Sequence, residues 1–447
     1  MMGLGSARSL LIIGCLALAG GAWADGSHKT AASPRQRIVA VGTPADTLRV
    51  FASRHYHIHT TLTRSETIPF GLHMDAVFDQ FQKRFARFQP PPRVAASPTP
   101  NPPHTAPSTE AASAPHRLGL MPLYLFRTQQ QYLDFLAGHG ISGQGTGGIF
   151  FVTHQLQGLA TWTQGHPRSR TFRTLQHEGF HQFAWHYLGR QLPTWMNEGL
   201  AQYFEDAVLL PSGMELGLAT PHRINRVRHA LRNHHALPLR QLVRYSSREW
   251  ADTVRHHPAD SELLYAQAWS VVFFLIHGDD ARYLKSFEVY LRLLAQGKDH
   301  DQAFRTAFGH AALRAIEDRW KTHALVQKPH PVNAAARGLE FLGTALLYKH
   351  QRGEVMPTGL APLRRDLQDR GFKITRTLHG ESQSLKADDP ELYVYARPGG
   401  QRSDFLLLEP AGYNLPPRLA APGLSPEPNL VWLAEPDGRL SFDIEFR

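Results

Sequence analysis

The sequence has one cysteine, Cys15, in 447 residues. Cys15 lies in an apolar stretch that reads as an export signal, so a chain cleaved beyond it carries no thiol. Disulfides, thiolate metal ligands and a cysteine nucleophile are then excluded, and any metal must be held by histidine and carboxylate. After residues 10–19 no apolar run is long enough to span a bilayer. Charged residues make up only 19% of the chain, and the excess of 48 basic over 38 acidic residues is scattered, without a basic and aromatic stripe or a reader motif. Nucleic acid is therefore not an expected partner. In an exported protein the formal charge of +10 favours anionic cell-surface polymers or acidic substrates.

The export signal is expected over residues 1–24: Arg8 precedes the apolar stretch, and Ala22-Trp23-Ala24 stands before Asp25. Cleavage after Ala24 predicts a periplasmic or extracellular protein. The alternative is a lipid anchor on Cys15, which follows Ile12-Ile13-Gly14, giving an outer-membrane lipoprotein. The length predicts two or three domains, and 42% apolar residues suffice for a sizeable core. Nothing in the sequence specifies an oligomeric state.

Residues 48–51 and 56–61 are β-prone, and Phe78, Phe81, Phe85 and Phe88 then recur at helical spacing, a face that must be buried. Residues 89–116 are rich in Pro, Ala, Ser and Thr and read as a disordered insert. After it a strand is expected over 120–126, a helix capped by Thr128 and carrying Tyr132, Phe135 and Leu136, and a strand over 147–153. Because the strand and helix grammar resumes, the insert is expected to interrupt one mixed sheet. From 171 to 325 the pattern is helical, and from 329 to 447 two helices and several strands predict a small α+β accessory module. Residues 25–88 and 117–328 would together form the main domain. The basic, His-rich stretch around His229, His234 and His235 reads as a solvated helix face.

The chemistry is concentrated between Thr171 and Asp206. In His177-Glu178-Gly179-Phe180-His181 two imidazoles one helical turn apart project from the same face and can bind one ion. Gly189 is placed to end that helix, Pro193 breaks the chain, and Thr194 is placed to cap a second helix with Glu198 in its first turn. One zinc ion suits two His and one Glu, with ligand bonds of about 2.0 to 2.2 Å and a fourth position left for water. Glu178, beside a ligand but itself free, is the candidate base. Glu205, two turns beyond Glu198, is a candidate to support a ligand imidazole, as is Asn197 beside Glu198.

HEGFH followed by WMNEGLAQYFE resembles the gluzincin metallopeptidases, the class that includes thermolysin and aminopeptidase N, and most of all a poorly characterised group of secreted bacterial gluzincin-like proteins. The resemblance covers residues 48–325 and is specific at 177–205. It implies a thermolysin-like zincin core of α+β class, with a mixed sheet, an active-site helix and a helical second lobe, and it implies hydrolysis of peptides or proteins. His177, His181 and Glu198 fall on the family's ligands and Glu178 on its base. Leu264-Tyr265-Ala266-Gln267-Ala268-Trp269 is similar to the segment in which aminopeptidase relatives carry an oxyanion-binding tyrosine, here Tyr265. Gly148, Ile149 and Phe150 fall where the family places an edge strand along the cleft, to which a substrate peptide adds. Gln202 stands where thermolysin has an aspartate, so that contact must differ. The G-x-M-E-N motif by which aminopeptidases bind a free amino terminus is missing, so cleavage within a chain is expected. The alternatives are an aminopeptidase and a zinc-retaining, non-catalytic binding protein of the cell envelope, and a loop over 209–223 is a candidate cover for the site.

Overall fold

The structure is a computed structural model that describes residues 11–13, 39–41, 48–88, 119–164, 168–189, 192–309, 312–378, 381–434, 438 and 440–447. Cys15, Ala24 and the Pro-rich segment 89–116 lie outside these residues. Among the described residues no helix is long and apolar enough to cross a membrane.

The first part of the chain builds a mixed sheet from β1 (Leu11–Ile13), β2 (Val39–Val41), β3 (Arg49–Ala52), β4 (Tyr56–Thr60), β5 (Met121–Phe126), β6 (Gly148–Val152) and β7 (Gln157–Trp162), ordered β1-β6-β7-β5-β4-β3-β2. β4 and β5 pair directly and in parallel, from Tyr56 opposite Met121 to Thr60 opposite Leu125, so the strands flanking the Pro-rich segment belong to one sheet. β7, parallel to β5 and antiparallel to β6, is an addition to the expected elements. It is buried along nearly its whole length, and a strand covered on both faces carries no alternation of polar and apolar residues to betray it.

Each face of the sheet is covered. Between β4 and β5 comes α1 (Arg64–Phe85), started by a capping box of Thr63 and Glu66. Between β5 and β6 comes α2 (Gln129–Gly138), started by the expected cap Thr128 with Gln131. Alternation along β5 sends Tyr124 and Phe126 into a small core with Ile149, Phe151, Tyr132 and Leu136 under α2. Leu123, Leu125 and Phe150 face the main core, where α1 packs against α3 (Arg168–Phe183). The phenylalanine face of α1 is buried there: Phe81 lies 5.7 Å from Phe180 and 4.9 Å from Phe204, and Phe85 lies 5.9 Å from Phe180. Burying each such ring contributes about 1.5 to 3 kcal/mol, so this cluster pins α3 firmly between sheet and helices.

After one π-helical turn, Ala184–Leu188, the chain leaves α3 at Gly189, whose φ of +96° favours glycine. The next helix, α4 (Thr194–Glu205), starts at Pro193, whose fixed φ supplies the cap geometry. Thr194 is therefore the first helical residue and not the expected cap; its hydroxyl lies 2.9 Å from that of Ser247. Glu198 is correspondingly the fifth residue of α4, one turn in. The stretch expected as a covering loop holds a hairpin, β8 (Val208–Leu210) with β9 (Gly213–Glu215), before α5 (Pro221–Arg232).

The helical lobe continues with α6 (Leu239–Leu242), α7 (Ser247–His256), α8 (Pro258–Ala281), α9 (Leu284–Ala295), α10 (His300–Phe308) and α11 (Ala312–Val326). α8 leaves helical geometry at Gly278, Asp279 and Asp280. A β-carbon at Gly199 would lie 2.6 Å from the Ala268 carbonyl oxygen, so α4 and α8 touch backbone to backbone beside Glu198.

Beyond it α12 (Pro331–Gln351) and α13 (Leu360–Asp369) pack with β10 (Lys373–Leu378), β11 (Glu381–Lys386), β12 (Val394–Ala396), β13 (Arg402–Asp404), β14 (Leu406–Leu408), β15 (Arg418–Ala420), β16 (Pro428–Ala434) and β17 (Leu440–Phe446). The last four strands form an antiparallel sheet, and Leu339, Leu342, Leu363, Leu430 and Phe442 belong to a core distinct from that of the preceding lobe. The described residues are thus of mixed α and β structure. Phe405 is the buried residue between β13 and β14.

Candidate metal centre

α3 carries His177 and His181 on one face, and their Nε2 atoms point at each other across 3.2 Å. Glu198 of α4 brings its Oε2 to 3.6 Å from His177 Nε2 and 3.4 Å from His181 Nε2. No side chain of the three is more than 1% exposed. Glu198 Oε2 accepts no hydrogen bond among the described residues, so a buried anionic oxygen faces two nitrogens without satisfying either. A tetrahedron with bonds of about 2.0 to 2.2 Å has edges of about 3.3 to 3.6 Å, close to the three separations found here. These residues therefore fit one metal ion, and among the described residues they are the group of His and carboxylate side chains so arranged.

Outside the triad, Glu205 Oε2 lies 3.2 Å from His177 Nδ1 and accepts from Arg223 Nη2 at 2.8 Å. Asp206 accepts from Arg173 Nη2 at 2.8 Å and from Arg223 Nη1. Two carboxylates at the end of α4 thus meet one arginine from α3 and one from α5, and the cluster fixes the orientation of the His177 ring. Sequence reasoning reached Glu205 by helical spacing but missed Arg173, Asp206 and Arg223. Arg173 was within reach, one turn before His177 on the same face; Arg223 arrives from another helix, and no spacing announces it. His181 Nδ1 has no partner among the described residues, so only one imidazole is held from behind.

The fields in this interior are strong. Burial opposes a charge on His177, yet the carboxylates of Glu198 and Glu205 that face its two nitrogens prevail and raise its pKa to about 10. Burial likewise opposes the charge on Glu198, and the two imidazoles outweigh it, lowering the carboxyl to about 2. Glu205, despite burial, is held below the usual carboxylate range by Arg223, His177 and Arg173.

Glu178 sits on the sheet side of α3. Its Oε2 accepts from the Phe150 backbone N–H at 2.7 Å, while Oε1 has no partner among the described residues. Burial raises this carboxyl to about 7, against the neighbouring imidazoles, which lower it. Gly148 makes the approach of helix to strand possible: a β-carbon there would lie 2.5 Å from Thr174 Cγ2 and 3.2 Å from Glu178 Cγ. Of the three candidate substrate-binding residues, Gly148 and Phe150 thus adjoin Glu178, whereas Ile149 faces the α2 core. The expected free edge differs as well. β1 pairs antiparallel with β6, Ile13 opposite Phe150 and Leu11 opposite Val152, because an open sheet edge accepts any extended segment within reach.

Tyr265 is buried on α8, edge-on to Trp250 with ring centroids 5.2 Å apart. It lines a cavity of about 510 Å³ with Gln202, Glu205 and Phe442, but none of the triad residues lines that cavity. Asn197 is 8% exposed and its Oδ1 has no partner among the described residues.

Residues 171–293 match the family described as "Protein of unknown function (DUF1570)". The match begins in α3 and ends in α9, so it takes in the triad, Glu178, the whole cluster of Arg173, Glu205, Asp206 and Arg223, and Tyr265. No curated protein and no solved structure matches the chain.

Proposed function

We propose that this protein is a zinc-dependent peptidase of gluzincin type that cleaves peptide bonds within a chain outside the cytoplasm. The observation that carries the reading is the convergence of His177, His181 and Glu198 at 3.2, 3.4 and 3.6 Å around one point. A zinc ion held there would supply Lewis acidity and a water of lowered pKa. Glu178 is oriented by the Phe150 N–H, which leaves Oε1 to take a proton from water and return it to the leaving amine. Glu205 keeps the His177 ring in the tautomer that presents Nε2 inward. Tyr265 is assigned the hydrogen bond to the developing oxyanion, and Gly148 and Phe150 the approach of the substrate backbone beside Glu178.

One observation favours a second reading. The triad and Glu178 are each at most 1% exposed, as suits a zinc-retaining binding protein without turnover. Digestion of casein by the zinc-loaded, full-length protein decides between them. The peptidase reading expects cleavage by the wild type and none by Glu178→Gln, which retains zinc. A zinc-loaded wild type that leaves casein intact, yet removes residues from free-amine peptides, would make it an aminopeptidase; inertness on both substrates would leave the binding protein.

A further inference from the structure

The C-terminal module touches the metal-bearing helix at its start. Ser169 is the second residue of α3, and the first N–H groups of a helix have no partner within it. Its N–H is met by both carboxylate oxygens of Asp443, each at 3.2 Å, from β17 and 274 residues further along the chain. The same carboxylate accepts from the Ile444 N–H at 3.0 Å and is 6% exposed. Burial pushes this carboxyl up to about 6, while the open N–H and the positive end of the helix dipole favour its anion against that cost. A contact that a helix normally takes from its own preceding residues comes here from a different module.

A second attachment reaches the other support of His177. At the start of α12 the His330 N–H donates to the Ala219 carbonyl at 2.8 Å, and Asn333 Nδ2 donates to the Leu218 carbonyl. Leu218 and Ala219 lead into α5, which carries Arg223, the partner of Glu205 behind His177. The module therefore holds both segments on which the ring depends, one at Ser169 and one just before Arg223. The cavity lined by Phe172, Arg173, Glu205, Arg223, Asn333 and Phe442 lies between these attachments.

We propose that Asp443 is a positioning residue for the metal centre: by capping α3 from the C-terminal module it fixes the helix that presents His177, Glu178 and His181, which makes the module a working part of the site. The register of the two imidazoles against Glu198 is set by the axis of α3, and about two turns separate Ser169 from His177. Freeing the first turn lets that axis tilt and the three donors drift apart.

The test uses the full-length chain with three variants: Asp443→Ala, Asp443→Asn, which keeps an oxygen acceptor for the Ser169 N–H, and Leu363→Ala, which loosens the module core from α13, away from β17 and the cap. Amide hydrogen exchange over residues 168–177 reads the cap, and chelator competition reads zinc affinity. Only the second readout rests on the metal-site reading above. Asp443→Ala is expected to speed exchange at the start of α3 about tenfold and to weaken zinc about tenfold. Asp443→Asn should stay within about threefold of wild type on both, and Leu363→Ala should leave zinc affinity within about twofold. Wild-type exchange and affinity in Asp443→Ala would overturn the proposal, as would an equal loss of zinc in Leu363→Ala. If Asp443→Ala does not fold, Asp443→Ser replaces it under the same limits. A wild type that binds no zinc removes the metal reading, while exchange still decides whether Asp443 holds α3.

Discussion

Replacing Glu205 should weaken the metal centre without touching a metal ligand. Its Oε2 lies 3.2 Å from His177 Nδ1 and 2.8 Å from Arg223 Nη2, in an interior where Glu205 is 4% exposed and His177 0%. Glu205→Ala leaves the Nδ1–H without that acceptor and frees the ring to turn. Loss of such a partner typically weakens metal binding by about 10- to 100-fold, or about 1.4 to 2.7 kcal/mol. The same change removes one of two carboxylates from the buried Arg223. Breaking a buried pair costs about 3 to 5 kcal/mol, and because Asp206 remains on Arg223 the lower end applies to the stability of the metal-free protein. Glu205→Gln keeps an oxygen for the imidazole but not the charge, so its zinc affinity should fall between those of wild type and Glu205→Ala. Competition with a chromogenic chelator reads the affinities, and urea unfolding of the stripped protein reads the stability. Zinc binding by Glu205→Ala within twofold of wild type would refute the claim that Glu205 holds His177.

Gly148→Ala sets a methyl against Thr174 and Glu178 and should cost about 1 to 3 kcal/mol of stability by overpacking, with a larger proportional loss of casein cleavage; unchanged urea midpoint and rate would show that β6 yields freely. Gly199→Ala drives a methyl into the Ala268 carbonyl, and the shift of α4 should lower zinc affinity together with stability, read by the same chelator competition. In the metal-free protein, His177, raised from 6.5 to about 10, contributes stability fully present below pH 6.5 and lost as pH rises through 10. Glu198, lowered from 4.5 to about 2, contributes stability present above pH 4.5 and lost as pH falls towards 2, so the pair predicts a maximum between these limits in urea midpoints measured against pH. Zinc must displace the His177 proton, so calorimetry at pH 7 in buffers of different ionisation enthalpy should register about one proton released by that ring on binding.

The sequence carried its local signals well. The caps at Thr128 and Gly189, the phenylalanine face of α1 and the shared face of His177 and His181 are all properties of a few consecutive residues, set by helical period and turn chemistry. The convergence of Glu198 with the imidazoles was legible because only a short break separates the two helices. Long-range partners were not. Arg223 meets Glu205 through the packing of α5, and Asp443 reaches Ser169 from 274 residues away, distances over which no residue pattern survives. β7 escaped notice because burial on both faces erases alternation. The pairing of β1 with β6 escaped for another reason: the backbone edge of a strand, unlike its side chains, is not written in residue type. Ile149 was grouped with its neighbours along the strand, but successive residues point to opposite faces, and only Gly148 and Phe150 adjoin Glu178.

The most direct test of the central claim is elemental analysis of the purified, dialysed full-length protein beside Glu178→Gln, His181→Ala and Glu198→Ala. The account predicts one zinc per chain in the wild type and in Glu178→Gln, and markedly less in the other two. A folded wild type devoid of metal after exposure to zinc, or a full equivalent retained by both ligand variants, would contradict it.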